Sequence, residues 1–236
     1  MPADSLVRSP LGRETLDDPR APAAQVEATL DDITRINFWF GGRAAASFGL
    51  MRLLRDHPRP GPVSLLDVGA GGGDIARHLV RRAERSGIAL EPLALERHPL
   101  AARRCRLGGI PAVLADAGRL PLADRSVDLV LASQLLHHFD RPSAVALLRE
   151  LGRVARLGGI VADLRRHAVA ARGIWFASWI MGLHPVTRRD AVLSVRRGFG
   201  AGELEGLLAG AGIRATVYRR PGYRLVAVWR SHGAHG

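Results

Sequence analysis

Ten residues, Leu65–Asp74, carry the strongest structural signal in this chain: "LLDVGAGGGD". An apolar run ends in an acid, Asp67, and four of the six residues that follow the acid are glycine. The pattern predicts a buried strand that turns abruptly into a helix. Glycine adopts backbone angles that other residues avoid, and it lets a ligand approach the main chain closely. We therefore expect a ligand to lie against this turn.

Patterns typical of strands and of amphipathic helices alternate along the chain from Val63 onward. Repeated strand–helix units predict a parallel sheet with helices on both faces. Near the C-terminus only Pro221 and Gly222 separate two strand patterns, and so short a turn requires antiparallel pairing. The predicted fold is α/β, a Rossmann-like doubly wound sheet of mostly parallel strands with a C-terminal antiparallel pair. We expect Gly158 and Gly159 to end a helix before the sheet resumes.

Two regions stand outside this alternation. We predict that residues 1–60 form an N-terminal lead-in and helical cap, in which the first 24 or so residues are loose because they are rich in Pro, Asp and Ala. Residues 61–236 then form the main domain. Within it, an insertion at about residues 165–199 is expected to act as a lid that binds the substrate.

Composition narrows the class of protein. The chain has 236 residues and is 47% hydrophobic, so it can bury a core. Its single cysteine, Cys105, excludes an internal disulfide and a cysteine metal cluster, and no other metal site is predicted. The N-terminus lacks a signal pattern, and the most apolar later stretch is too short to cross a bilayer. We expect a cytoplasmic protein without a transmembrane segment.

The formal net charge of +12 raises the question of nucleic-acid binding. All 34 basic residues are arginine, and they are dispersed along the chain. Dispersed arginines are typical of solvated helix faces, so we predict no nucleic-acid partner.

The glycine turn favours a cationic ligand over a dinucleotide. The dinucleotide fingerprint is Gly-x-Gly-x-x-Gly, and Asp74 stands here in the place of its third glycine. A carboxylate at that point would repel a pyrophosphate at the helix N-terminus. Asp67 adds a second acid before the turn.

The motif resembles the first motif of class I S-adenosylmethionine (SAM)-dependent methyltransferases, acid-x-Gly-x-Gly-x-Gly. The segments around the fourth and fifth predicted strands, "SVDLVLASQLLHHFDRP" and "LLRELGRVARLGGIVADL", resemble the subgroup that contains ubiquinone and menaquinone biosynthesis enzymes and small-molecule O-methyltransferases. The resemblance implies SAM as cofactor and S-adenosylhomocysteine as product. It also implies that Glu96 binds the ribose hydroxyls and that Asp116 binds the adenine amino group. The predicted cofactor-binding residues are Asp67, Gly69, Ala70, Gly71, Gly73, Glu96, Arg97, Asp116, Ala117, Ser133 and Gln134.

The acceptor is expected to be small, apolar, and aromatic or lipid-like. The Asn/Asp-Pro-Pro-aromatic motif of amino-group nucleic-acid methylases is absent after the fourth strand, where the chain reads Ser133-Gln134-Leu135-Leu136. Aromatic residues in the N-terminal cap and the insertion are predicted to line the acceptor pocket, and two histidines after the fourth strand are candidate catalytic bases. The pocket residues are Trp39, Phe40, Trp175 and Trp179, and the catalytic candidates are His137 and His138.

The sequence thus predicts a bacterial enzyme of secondary metabolism that methylates a phenolic or polyketide-like hydroxyl. C-methylation of a quinone-precursor ring is the alternative. A nucleic-acid methyltransferase and a SAM-binding module without catalysis are more distant alternatives.

Overall fold

Seven strands form one sheet in the computed structural model, which describes residues 11–55 and 61–231. The strands are β1 (Val63–Val68), β2 (Leu90–Glu96), β3 (Ala112–Leu114), β4 (Val127–Ser133), β5 (Ala155–Leu164), β6 (Thr216–Arg220) and β7 (Arg224–Arg230).

The strand order is β3-β2-β1-β4-β5-β7-β6. Strands β1 to β5 are parallel, and β7 lies antiparallel to both β5 and β6. The predicted fold class is confirmed. Because the order reverses between β1 and β4, the carboxyl ends of these two strands border a crevice, which is where α/β sheets of this kind bind ligands.

Eight α-helices surround the sheet in the described part of the chain. They are α1 (Ala23–Trp39), α2 (Gly42–Leu54), α3 (Asp74–Glu84), α4 (Pro99–Leu107), α5 (Arg141–Val154), α6 (Ala168–Ile180), α7 (Pro185–Arg197) and α8 (Ala201–Gly210). Helices α5 and α8 cover one sheet face, and α2 and α3 cover the other. Alternate residues of the central strands supply the two cores: Leu66 and Val68 pack towards α5, whereas Val63 and Leu65 pack towards α2.

Helix α2 packs directly on the sheet, although it belongs to the segment predicted as a cap. The approach is close, since a Cβ atom added at Gly49 would lie 2.5 Å from the side chain of Ile160. Helix α1 instead contacts α4 and α7, above the strand ends. Residues 56–60, which precede the predicted domain boundary, lie outside the described residues. The division into two regions at residue 60 stays a prediction.

The segment before α1 is held more firmly than its composition suggests. Thr15 donates two hydrogen bonds to Asp190 of α7, from its backbone amide at 2.8 Å and from its hydroxyl at 2.7 Å. Ser194 of α7 donates to Glu14 at 2.8 Å. The expectation of a loose segment is therefore wrong for these residues. Residues 1–10 lie outside the described part of the chain.

The predicted role of Gly158 and Gly159 is also wrong. Helix α5 ends at Val154, and β5 begins at Ala155 with both glycines inside the strand. The physical reason is the neighbouring strand, since a Cβ at Gly159 would lie 2.2 Å from the ring of Trp229. A Cβ at Gly158, where φ is +155°, would lie 2.2 Å from the carbonyl oxygen of Trp229. No helix among the described residues is long and apolar enough to cross a membrane.

We expect Gly158→Ala to lower the free energy of unfolding by about 1–3 kcal/mol, because its methyl group would meet backbone that cannot yield. Gly152→Ala is the matched control: it lies in α5, and its Cβ would lie 3.5 Å from Ile213, an ordinary contact. The control should raise stability by about 0.5–1 kcal/mol. Urea unfolding measures both changes, and equal stability of the two variants would contradict this packing of β5 against β7.

Candidate active site

The glycine turn lies at the carboxyl end of β1, as predicted. Gly69 and Gly71 have φ angles of +70° and +57°, which side-chain-bearing residues rarely adopt. A Cβ at Gly69 would also lie 2.7 Å from the side chain of Leu135. The turn therefore needs glycine at these positions both for its backbone angles and for the close packing of the loop after β4.

Asp67 lies beneath this turn. It is 1% exposed, and neither carboxylate oxygen has a hydrogen-bond partner among the residues that the structure describes. Burial raises the pKa of Asp67 well above its ordinary value, and the negative charges of Asp74 and Glu96 raise it further. A buried, unpartnered carboxyl group at a strand end is a strong position for a ligand that carries hydrogen-bond donors or positive charge.

Glu96, at the end of β2, fixes the glycine turn. Its Oε1 accepts a hydrogen bond from the amide of Gly71 at 2.6 Å, and its Oε2 accepts from the amides of Arg97 and His98 at 3.0 and 3.3 Å. Burial raises the pKa of Glu96, and these three amide donors oppose the rise. The carboxylate thus shapes the site, and it still has lone pairs available for ribose hydroxyls.

The remaining predicted cofactor residues follow β3 and β4. Asp116 accepts a hydrogen bond from the amide of Gly118 at 2.7 Å, which fixes the loop after β3. Ser133 ends β4 with a buried hydroxyl that has no partner in the chain. Gln134 follows it with φ of +53° and is held at both ends of its amide: Nε2 donates to Asn37 at 2.6 Å, and Oε1 accepts from Arg224 at 2.7 Å.

One cavity of about 460 Å³ connects these strand ends. It brings together thirteen of the seventeen predicted site residues: Phe40, Asp67, Gly69, Ala70, Gly71, Glu96, Arg97, Asp116, Ala117, Ser133, Gln134, His137 and His138. Gly73 does not line it. Gly73 is the N-cap of α3, and an added Cβ there would lie 3.2 Å from the sulfur of Cys105 in α4. Gly73 therefore allows α3 and α4 to pack closely.

The three predicted tryptophans do not line the cavity either. Trp39, Trp175 and Trp179 are 70%, 55% and 57% exposed on the outer surface. Helix α6 nevertheless contributes its opposite side to the cavity wall, through Gly173 and Ile174.

The two candidate catalytic histidines are each backed by a carboxylate. His137 Nδ1 lies 2.6 Å from Asp163 Oδ1, and His138 Nδ1 lies 2.8 Å from Asp17 Oδ1. The Nε2 atom of His137 is buried and has no hydrogen-bond partner. With Nδ1–H donated to Asp163, that Nε2 atom carries a free lone pair at the cavity wall.

The two histidines differ in electrostatic setting. Burial lowers the pKa of His138, but the nearby carboxylates of Glu14 and Asp17 outweigh it, so the net shift is upward and favours the imidazolium. Asp163 is also fully buried, and the positive character of His137 and its hydrogen bond hold the pKa of that carboxyl below its ordinary value. His138 is consequently less suited to accept a proton.

Among the described residues, Glu14, His137 and His138 lie close enough together to be considered as metal ligands. The nearest Glu14 oxygens are 3.7 Å from each Nε2 atom. Arg197 already provides positive charge there: its fully buried guanidinium donates to Glu14 Oε1 at 3.0 Å and lies 3.5 Å from Asp17. We therefore interpret the cluster as a buried charge network, and the sequence-based expectation of no metal stays a prediction.

A chain of polar contacts links α1 to the strand ends. Asn37 donates to Asp74 at 3.2 Å and accepts from Gln134, which in turn accepts from Arg224. Arg224 is 2% exposed, and burial lowers its pKa to about 10, against the opposing effect of Asp163.

Sequence reasoning missed Glu14, Asp17, Asn37, Asp163, Arg197 and Arg224. Only Asn37 carried a local signal, as a polar residue just before the aromatic stretch "FWF".

Comparisons with known proteins agree with this geometry. Residues 66–162 match a family model described as a methyltransferase domain. An uncharacterized methyltransferase of Mycobacterium bovis is 37% identical over 95 residues, which cover 40% of this chain and 36% of that protein. A phthiotriol/phenolphthiotriol dimycocerosates methyltransferase of Mycobacterium tuberculosis is 35% identical over 150 residues, covering 59% of this chain and 52% of that protein. The chain thus spans about half, or less, of the length of these relatives.

Solved structures show the same fold. A SAM-dependent methyltransferase from Aquifex aeolicus has a TM-score of 0.58 at 19% identity, covering 90% of this chain and 98% of that one. Magnesium protoporphyrin IX methyltransferase from Synechocystis, with bound SAM, has a TM-score of 0.55 at 12% identity, covering 84% and 83%. Residues 66–162 thus match a methyltransferase domain, and the fold around them is that of the solved SAM-dependent methyltransferase.

The residues of the cavity fit SAM as a cofactor. The donor carries an ammonium and a sulfonium group, and the cavity presents two buried acids, Asp67 and Glu96, at the ends of adjacent strands. Both Asp67 oxygens lack partners within the chain, so a cationic ligand would satisfy them.

We expect Asp67→Asn to stabilise the ligand-free protein at about pH 8 and not at about pH 4. The pKa of Asp67 is higher in the folded chain than in the unfolded chain, so its contribution to stability is present at low pH and lost as the pH rises through the folded pKa. Asparagine has nearly the same shape as aspartic acid, and its side chain does not ionise between these pH values. Thermal unfolding at both pH values measures the effect, and a variant less stable than the wild type at the higher pH would show that the charge is compensated.

Proposed function

We propose that the protein transfers the methyl group of SAM to a hydroxyl group of a small, apolar acceptor, phenolic or polyketide-like and lipid-like in character. One observation carries this proposal. The cavity that contains the acids of the cofactor side also contains a carboxylate-backed histidine with a free Nε2 atom, and apolar side chains lie between and around them.

The wall of the proposed acceptor side is mostly hydrophobic. It is built from α1, the end of β5, α6 and α7, and its apolar residues are Ile33, Ile36, Phe40, Leu164, Ile174 and Val195. A pocket of this kind with few polar groups suits an apolar ring or chain with one oriented hydroxyl. The relative whose name refers to phthiotriol dimycocerosates supports a lipid-like acceptor for this chain as well.

SAM, when bound, supplies an activated methyl group, so the protein's own task is to align the acceptor oxygen, exclude water and remove a proton. In the proposed step, the acceptor hydroxyl gives its proton to His137 Nε2 while the oxygen forms its bond to the methyl carbon. Bound SAM would supply the methyl group at the expense of its carbon–sulfur bond, whose electrons would stay on sulfur in S-adenosylhomocysteine. Asp163 holds the His137 ring and stabilises the resulting imidazolium.

His138 serves a different purpose in this proposal. Its bond to Asp17 and its proximity to Glu14 tie the loop after β4 to the segment before α1, which closes the cavity. We therefore propose His138 as a positioning residue and His137 as the catalytic base.

C-methylation of a quinone-precursor ring remains the second candidate, because an acidic phenol ring can react without a base and the same apolar cavity would hold it. The distant alternatives have less support. A nucleic-acid acceptor does not suit a cavity whose wall is mostly apolar, and a non-catalytic module gives no role to the unpartnered His137 nitrogen. The predicted cytoplasmic location stays a prediction.

The test uses purified protein with methyl-labelled SAM and a panel of alkylphenols and alkylhydroquinones, with bulk RNA as a separate acceptor. We expect label in an ether product, and His137→Gln to lower kcat by about 10²-fold or more. The SAM affinity of this variant should stay within about threefold of the wild type. His78→Gln, in α3 and bonded to Ser47, is the matched control and should leave kcat unchanged.

Each other result has a definite meaning. Full turnover by His137→Gln at neutral pH, with label on ring carbon, would favour C-methylation. Label in RNA would replace the small-molecule proposal, and SAM binding without transfer to any acceptor would leave the non-catalytic module.

A further inference from the structure

Helix α6 is apolar on its outer face as well as on the inner face, where Ile174, Ala170 and Ala171 pack. Its outer face, defined by Val169, Trp175, Phe176, Trp179 and Ile180, is apolar and is 49–72% exposed residue by residue. Three aromatic side chains more than half exposed present on the order of 300 Å² of apolar surface. Contiguous apolar patches of that size mark interaction sites on soluble proteins.

The end of α1 extends this apolar surface. Phe40 packs against α6 beside Ile174, and the two residues before it, Phe38 and Trp39, are 59% and 70% exposed. The guanidinium of Arg35 reaches across to the carbonyl oxygen of Met181, just after α6. The α6 outer face and the α1 tip therefore belong to one side of the molecule.

The segment that carries the α6 outer face is rich in positive charge. Residues 165–199 contain seven arginines and a single acid, Asp190, which is buried and bonded to Thr15. Arg197 is buried against Glu14 and Arg166 pairs with Glu203, whereas Arg172, Arg189 and Arg196 are exposed. Arg188 stacks 3.9 Å from the ring centre of Trp179, and Arg43 lies 5.5 Å from that of Phe38. The exposed acids of α1, Glu27 and Asp31, pair instead with Arg104 of α4.

We propose that the α6 outer face docks the protein on an anionic lipid bilayer. Tryptophan and phenylalanine favour the boundary between headgroups and acyl chains, and arginines extend their apolar stems there while their charges meet anionic headgroups. A protein partner would need an apolar groove surrounded by acidic residues. An anionic bilayer offers negative headgroups and apolar acyl chains over its whole surface. With 13 residues, α6 lies along the surface and does not span it.

This docking would connect the bilayer with the cavity. Val169 belongs to the outer face and also lines the cavity, together with Ala170, Gly173 and Ile174 of the same helix. A lipid-like acceptor would then pass from the bilayer past α6 to the site without crossing water. The delivery of an acceptor from the bilayer rests on the proposed function, whereas the binding of the protein to lipid does not.

The experiment is flotation of the full-length protein with vesicles of phosphatidylcholine and phosphatidylglycerol in equal amounts, and with vesicles of phosphatidylcholine alone. The wild-type protein should float with the mixed vesicles, less so in high salt. Phe176→Ser and Trp179→Ser should each lower the partition coefficient by about tenfold. Leu107→Ser on α4, which removes a side chain that is 77% exposed, is the matched control and should change nothing.

The charge contribution has its own pair of variants. Arg172→Gln and Arg189→Gln should weaken binding to the mixed vesicles by several-fold and leave binding to neutral vesicles unchanged. Arg85→Gln, exposed at the end of α3, should have no effect. Calorimetric SAM affinity within about threefold of the wild type verifies that each variant is folded.

Binding that is unaffected by Phe176→Ser and Trp179→Ser would overturn the proposal, as would wild-type protein that does not float. A dimer that these substitutions convert to monomer, without vesicle binding, would assign the face to a second copy of the chain. Methyl transfer to a dispersed alkylphenol, assayed without vesicles, keeps the two proposals separate, since either can fail while the other holds.

Discussion

Buried negative charge under the glycine turn is the constraint on which the site depends. Asp67 has no partner inside the chain, and the charges nearest to it that affect its pKa belong to other acids, Asp74 and Glu96. Holding such acids together inside an apolar sheet lowers the stability of the folded protein. Groups of this kind cluster at functional sites, where a bound ligand can offset the lost stability. The amide of Gly71 donates a hydrogen bond to Glu96, so one of these buried acids also fixes the shape of the turn.

The acceptor side is organised in the opposite way. There the acids are matched within the chain: Asp163 by His137, Asp17 by His138, and Glu14 by Arg197. Among the described residues, the Nε2 atom of His137 has no hydrogen-bond partner, and His137 lines the same cavity as the apolar residues. The two ends of the cavity thus differ: the carboxyl oxygens of Asp67 are unpartnered, whereas the acids around the histidines are paired.

Local sequence was sufficient for the fold and for the set of residues that meet around the glycine turn. Strand ends, glycine turns and the acids that follow strands are close in sequence, so their spacing predicts their common edge, and ten of the eleven predicted cofactor residues line the cavity. Gly73 does not, because its contacts come from α4, which no spacing rule places. Gly158 and Gly159 were wrongly predicted to end a helix for a similar reason. The residue that requires glycine at both positions is Trp229 of β7, about 70 residues away in sequence.

The acceptor side could not be predicted in this way. His137 was found, but its partner Asp163 depends on the register between β4 and β5. The Pro- and Asp-rich start of the chain gave no sign that Glu14 and Asp17 are held by α7 and the histidine loop. The tryptophans were assigned to a pocket because apolar helix faces usually point inward, and α6 exposes its aromatic face instead.

The most direct test of the buried-charge account is calorimetric titration of SAM in two buffers of different ionisation enthalpy, near neutral pH. Because a cationic ligand favours the ionised form of Asp67, binding to the wild-type protein should release protons, and affinity should rise with pH. In Asp67→Asn the proton release should vanish, and the affinity should fall by about tenfold or more. Equal affinity and equal proton release in both proteins would show that Asp67 does not respond to the cofactor.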